Sequence, residues 1–146
     1  MAAGLRVRRD RMDVFAERFN AACAERLSGA DLRPVQEVDV WLSSLDDADH
    51  RLVGLIDELR PFGNGNATPC WGIRNARIVG TPRVVGKNHL RFTATGGGSR
   101  LNAIAFGMAE RELPEGPADI LFSLERDTYR GRNDLQMKVR DFAASP

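Results

Sequence analysis

Tyr129-Arg130-Gly131-Arg132 places one aromatic ring among guanidinium groups, between two segments, 120–126 and 135–140, in which apolar and polar residues alternate. A flat ring gives an unstacked base a partner, and cations beside a glycine follow phosphates without reading sequence. So polar a stretch offers Tyr129 little core to fill, and its ring is read as a stacking group. Lys87, His89 and Arg91 form a second cationic cluster, and Gln136 stands just beyond the first.

The chain of 146 residues suits one ordinary domain or two small ones, and 42% hydrophobic against 28% charged residues allows a packed core. The net charge of +1 conceals an asymmetry. Up to Asn66 there are 9 basic and 12 acidic residues, and beyond it 12 and 8, so the back half is the one suited to a polyanion. Cys23 and Cys70 are too few for a zinc site or a disulfide framework and read as reduced thiols. Arginines crowd the amino terminus and no stretch approaches the ~20 apolar residues of a membrane span, so a cytoplasmic chain is expected.

Helix, strand, helix is the order expected of the front half. From Arg11, the apolar positions Met12, Phe15, Phe19, Ala22, Cys23 and Leu27 recur at helical steps, and Gly29 ends the pattern. Val38, Val40 and Leu42 alternate with Glu37, Asp39 and Trp41, the period of a strand with one buried face. A second helix is expected with Ser44 and Asp47 as a capping box, Leu52, Leu55, Ile56 and Leu59 as its stripe, and Pro61 as its stop. Residues 61–69 are dense in proline, glycine and asparagine, and the boundary between a segment 1–60 and a domain 70–146 is placed there.

Beyond that boundary the chain reads as short strands at 71–79, 83–85, 89–95, 100–106, 118–126 and 135–142, with Gly96-Gly97-Gly98 as a hairpin. The fold class is therefore α+β: a small α/β piece followed by a five-stranded antiparallel Greek-key barrel of the oligonucleotide-binding (OB) type. Such a barrel receives its ligand across its second and third strands, between the first and last hairpin loops. Here those loops are 85–88 and 127–133, and both carry cations.

Other chemistry is set aside. Gly80 to Lys87 lacks the glycine spacing and the hydroxyl of a phosphate-binding loop. Asp46, Asp47 and Asp49 open a helix and are read as caps rather than metal ligands; His50 is read as solvated. Phe106 and Trp71 are read as core, and Trp41 as closing the joint between the two domains.

Several blocks in order resemble the carboxy-terminal part of the RecJ family of single-stranded-DNA-specific exonucleases. They are Ala2-Ala3-Gly4-Leu5, Asp31-Leu32-Arg33-Pro34, Pro61-Phe62-Gly63-Asn64-Gly65-Asn66, Val84-Val85-Gly86-Lys87-Asn88-His89-Leu90, Leu101-Asn102-Ala103-Ile104-Ala105-Phe106-Gly107-Met108 and Tyr129-Arg130-Gly131-Arg132. The resemblance implies that residues 1–60 end the core domain associated with Asp-His-His (DHH) phosphoesterases and that 70–146 form the OB domain. It also implies 5′-to-3′ removal of nucleotides from single-stranded DNA in recombination and repair, with Mn2+ or Mg2+. The metal-binding motifs of that family precede the region present here, and His50 and His89 are the only histidines. The chain is thus expected to be a fragment, late-start product or isolated domain, with no catalytic residues and no cofactor of its own. Lys87, His89, Arg91, Tyr129, Arg130, Arg132 and Gln136 are its expected DNA-binding residues. The alternative is an interaction module that docks on the nuclease core or on single-strand-binding protein.

Overall fold

Sixteen residues free of glycine and proline, Met12–Leu27, wind into α1, with Asp13 in the first turn and Arg26 in the last, where each opposes the helix dipole. Phe15 and Phe19, one turn apart, stack at 5.6 Å. Gly29, at φ +81°, supplies the left-handed residue that ends the helix. A computed structural model of the chain describes residues 4–32, 35–127 and 133–146. It divides into two units, Met1–Gln36, which holds α1, and Glu37–Pro146.

Everything from Glu37 onward shares one core, which is why the division falls after Gln36 and upstream of the punctuated stretch 61–69. The strand expected over 37–42 is short: β1 (Val40–Leu42) lies parallel to the start of β2 (Trp71–Val85), with Val40 and Trp41 both exposed. Trp41 packs within this unit. Its ring lies against Gly72, where an added Cβ would come within 2.5 Å of the indole, and under the Arg74 guanidinium at 4.5 Å.

The expected capping box resolves into two caps. The Ser44 hydroxyl accepts the Asp46 N–H and opens a single 3-10 turn, Leu45–Asp47, whereas Asp49 accepts the Leu52 N–H at 2.8 Å and opens α2 (His50–Glu58). Within α2, Val53 and Ile56 are buried against the barrel while Leu55 and Leu59 face outward. Leu45 and Ala48 enter the core ahead of it.

Five strands close a barrel: β2, β3 (His89–Gly96), β4 (Ser99–Ala105), β6 (Asp134–Ala144) and β5 (Ala118–Asp127), with β5 returning to β2. The two segments read at 71–79 and 83–85 are one strand, bent where its register shifts between Val79 and Arg83 around Gly80 and Pro82. A second shift, at Asn75 with φ 54°, lets the first half of β2 serve β1 and β5 while the second half serves β3. All barrel pairings are antiparallel except β4 with β6, the Greek-key return. This strand order is that of the OB type. Ile73, Phe92, Ile120, Phe122, Met137 and Phe142 fill the interior with Leu45, Val53 and Ile56 packed against them. Each such side chain contributes ~1.5–3 kcal/mol on leaving water.

Candidate nucleic-acid interface

Alternation along β3 buries Leu90, Phe92 and Ala94 and turns His89, Arg91, Thr93 and Thr95 to the outer face. Strand register then builds cross-strand rows on that face. Arg77, Thr95 and Arg100 stand abreast, and so do Val79, Thr93 and Asn102. In the next row Arg83, Arg91, Ile104 and Lys138 run across β2, β3, β4 and β6. Like charges directly opposite each other are unfavourable in a sheet unless an anion joins them.

The loops bound this face. Gly86, at φ +63°, turns the β2–β3 connection and leaves Lys87 exposed at its tip. On the other side, the foot of the β5–β6 connection reaches over β3, because Asp127 forms an ion pair with Arg91 at 3.7 Å. Tyr129, Arg130 and Arg132 lie outside the described residues.

The remaining expected residues are engaged. His89 Nδ1 accepts the Gly107 N–H at 3.2 Å, which leaves the proton of the neutral ring on Nε2. Gln136 extends the Val79–Thr93–Asn102 row on the same face, but it is only 8% exposed and donates to Glu125 at 3.4 Å. Thus His89 and Arg91 share the outer face of β3 with Lys87 at the loop beside them, and Gln136 lies on the same face two strands away, largely covered. Arg77, Arg83, Arg100 and Lys138 escape a reading of the sequence because their partnership depends on register across strands far apart in the chain. The recurrence of arginine at 74, 77 and 83 is the one local signal of them.

Phe106 corrects the sequence reading: it is 46% exposed at the end of β4, with the His89 ring edge-on at 4.8 Å. Trp71, by contrast, packs against the core, its buried Nε1 without a hydrogen-bond partner among the described residues. The β3–β4 turn is held by Asp46, which accepts the Gly98 N–H at 3.0 Å and the Ser44 hydroxyl at 2.7 Å. Hydrogen bonds from the Ser99 hydroxyl, the Gly98 amide and the Ser44 hydroxyl lower its pKa from 3.8 to about 2. The Arg60 guanidinium, helped by Arg126, likewise holds Asp57 below the usual carboxylate range, and burial pushes the Cys70 thiol up. Among the described residues no group of three or more His, Cys, Asp or Glu is placed to hold a metal ion. The acidic residues that open α2 do not fit that role, since Asp46 and Asp49 are committed to backbone amides. No helix among the described residues is long and apolar enough to cross a membrane.

The family model of the RecJ OB domain matches residues 38–141. The chain is 25% identical to the single-stranded-DNA-specific exonuclease RecJ of Bacillus subtilis, over 99% of this chain and 19% of that protein. It is 28% identical to the RecJ of Dickeya dadantii, over 95% and 24% respectively. The chain therefore spans about a fifth to a quarter of the length of these relatives. In fold it is similar to RecJ from Thermus thermophilus, solved in complex with Mn2+, at a TM-score of 0.69 and 19% identity over 98% of this chain and 20% of that one. With residues 38–141 matched to one domain model and the barrel topology in agreement, the chain belongs to the RecJ OB-domain family.

Proposed function

We propose that this chain is the single-stranded-DNA-binding portion of a RecJ-type 5′-to-3′ exonuclease that acts in recombination and repair in the cytoplasm. The observation that carries the reading is the pair of arginine rows, Arg77 with Arg100 and Arg83 with Arg91, on the β2–β3–β4 face beside the loop that exposes Lys87. Phosphates laid along that face relieve the repulsion between neighbouring guanidinium groups, and a single strand presents them at flexible spacing. Lys87, Arg91, Arg130 and Arg132 then follow the backbone with these rows, Tyr129 stacks a base, and His89 and Gln136 support the face. The segment before Glu37 continues a DHH-associated core domain, and the hydrolysis, with its Mn2+ or Mg2+, belongs to that core.

Fluorescence anisotropy with labelled oligo(dT) and with a duplex of equal length tests the reading. Single strands bind the chain more tightly than the duplex, and Tyr129→Ala loses ~1–3 kcal/mol, the worth of one stacked base. A chain that binds neither nucleic acid at low salt is not a DNA-binding module.

A total charge of +1 and the exposed Val84 and Trp41 favour a second reading, docking on the nuclease core or on single-strand-binding protein. Apolar docking is nearly indifferent to salt, whereas phosphate contacts weaken steeply with it.

A further inference from the structure

A ring that receives a base needs an open face, a fixed orientation and a cation near enough to meet the adjoining phosphate. Among the described residues of the barrel unit, the other aromatics fail one of these conditions. The Trp41 ring is taken by Gly72 on one side and Arg74 on the other, and Phe62 and Trp71 are partly buried against the core.

Phe106 meets all three. It follows β4 two residues beyond Ile104, on the same outer face as the Arg83–Arg91–Ile104–Lys138 row, and is 46% exposed. His89 braces it edge-on at 4.8 Å and 66°, and is itself held by the Gly107 amide, so two strands and a turn set the ring's angle. Lys138 Nζ stands 5.5 Å from the ring centre and, among the described residues, has no carboxylate partner. Beside the ring opens a groove of about 880 Å³ between α2 with its following loop and the β5–β6 ladder, lined in part by Phe62, Arg126, Lys138 and Arg140.

We infer that Phe106, with His89 and Lys138, is a seat for one unpaired nucleobase, at the point where a bound strand leaves the barrel face for this groove. The base stacks on the open ring face, and the Lys138 ammonium moves from the ring to the neighbouring phosphate. This inference rests on the proposed DNA-binding reading and adds a base-contacting site to it.

The test compares oligo(dT) of about 16 nucleotides, the upper site size for one such barrel, with an abasic chain of the same number of phosphates, using the full 146-residue protein. Phe106→Ala lowers affinity for oligo(dT) by roughly 5- to 100-fold and leaves affinity for the abasic chain unchanged, whereas Phe106→Tyr retains wild-type binding of both. Lys138→Gln weakens both ligands alike. Equal binding of oligo(dT) by wild type and Phe106→Ala, or an equal loss on both ligands, removes the seat while leaving the DNA-binding reading intact. Failure of the wild-type chain to bind oligo(dT) at all removes the reading and the seat together.

Discussion

Gly72 shows how a single absent side chain shapes the molecule. With no Cβ, it lets the Trp41 indole lie flat on β2 beneath Arg74, so that β1 is fastened to the barrel by a ring as well as by its ladder. Gly72→Ala drives a methyl into that ring and destabilises the fold by ~1–3 kcal/mol, the usual cost of overpacking. Urea unfolding monitored by tryptophan fluorescence measures it, and an unchanged midpoint would mean that Trp41 is free to move aside. Phe106 is the converse lesson. An aromatic residue at a strand end within an apolar run looks like core, yet β4 buries Leu101, Ala103 and Ala105, which puts Phe106 in the outward phase.

Among the elements, the β3–β4 hairpin holds the binding face in register, and Asp46 holds the hairpin. A carboxyl whose folded pKa lies below its ordinary value contributes stability above that ordinary value and loses it as pH falls to the folded one. For Asp46 the window runs from 3.8 down to about 2. Thermal unfolding followed by circular dichroism is expected to show the midpoint of the wild type falling across this window, and falling less steeply in Asp46→Asn. Parallel curves for the two proteins would place the acid sensitivity elsewhere. Much of this level was legible in the sequence: the helical stripe of α1, the hairpin at Gly96-Gly97-Gly98 and the period-two segments all follow local pattern. Asp49 rather than Ser44 caps α2, and packing buries Val53 with Ile56 while Leu55 and Leu59 stay exposed. Chain punctuation at Gly80 and Pro82 looked like a strand end, yet the barrel absorbs it as a bend in β2.

For the molecule as a whole, the decisive property is where its charge stands. Total charge is near neutral, but strand pairing gathers Arg77, Arg83, Arg91 and Arg100 on one outer face, an arrangement that no window of sequence displays. The amino-terminal unit contributes none of these residues. Such a face makes DNA binding depend on salt in a specific way. Each phosphate neutralised on a single strand adds about 0.7 to the steepness with which log K for oligo(dT) falls against log salt, so the several cations of this face give a steep slope. Replacing Arg83 and Arg100 together by alanine flattens the slope by about 1.4. The most direct measurement is therefore a salt titration of oligo(dT) binding by the wild-type chain and this double variant. A steep slope that flattens on removal of the two arginines is the expected result, and an affinity indifferent to salt, or a slope that the two arginines do not change, would contradict a phosphate-binding face on the barrel.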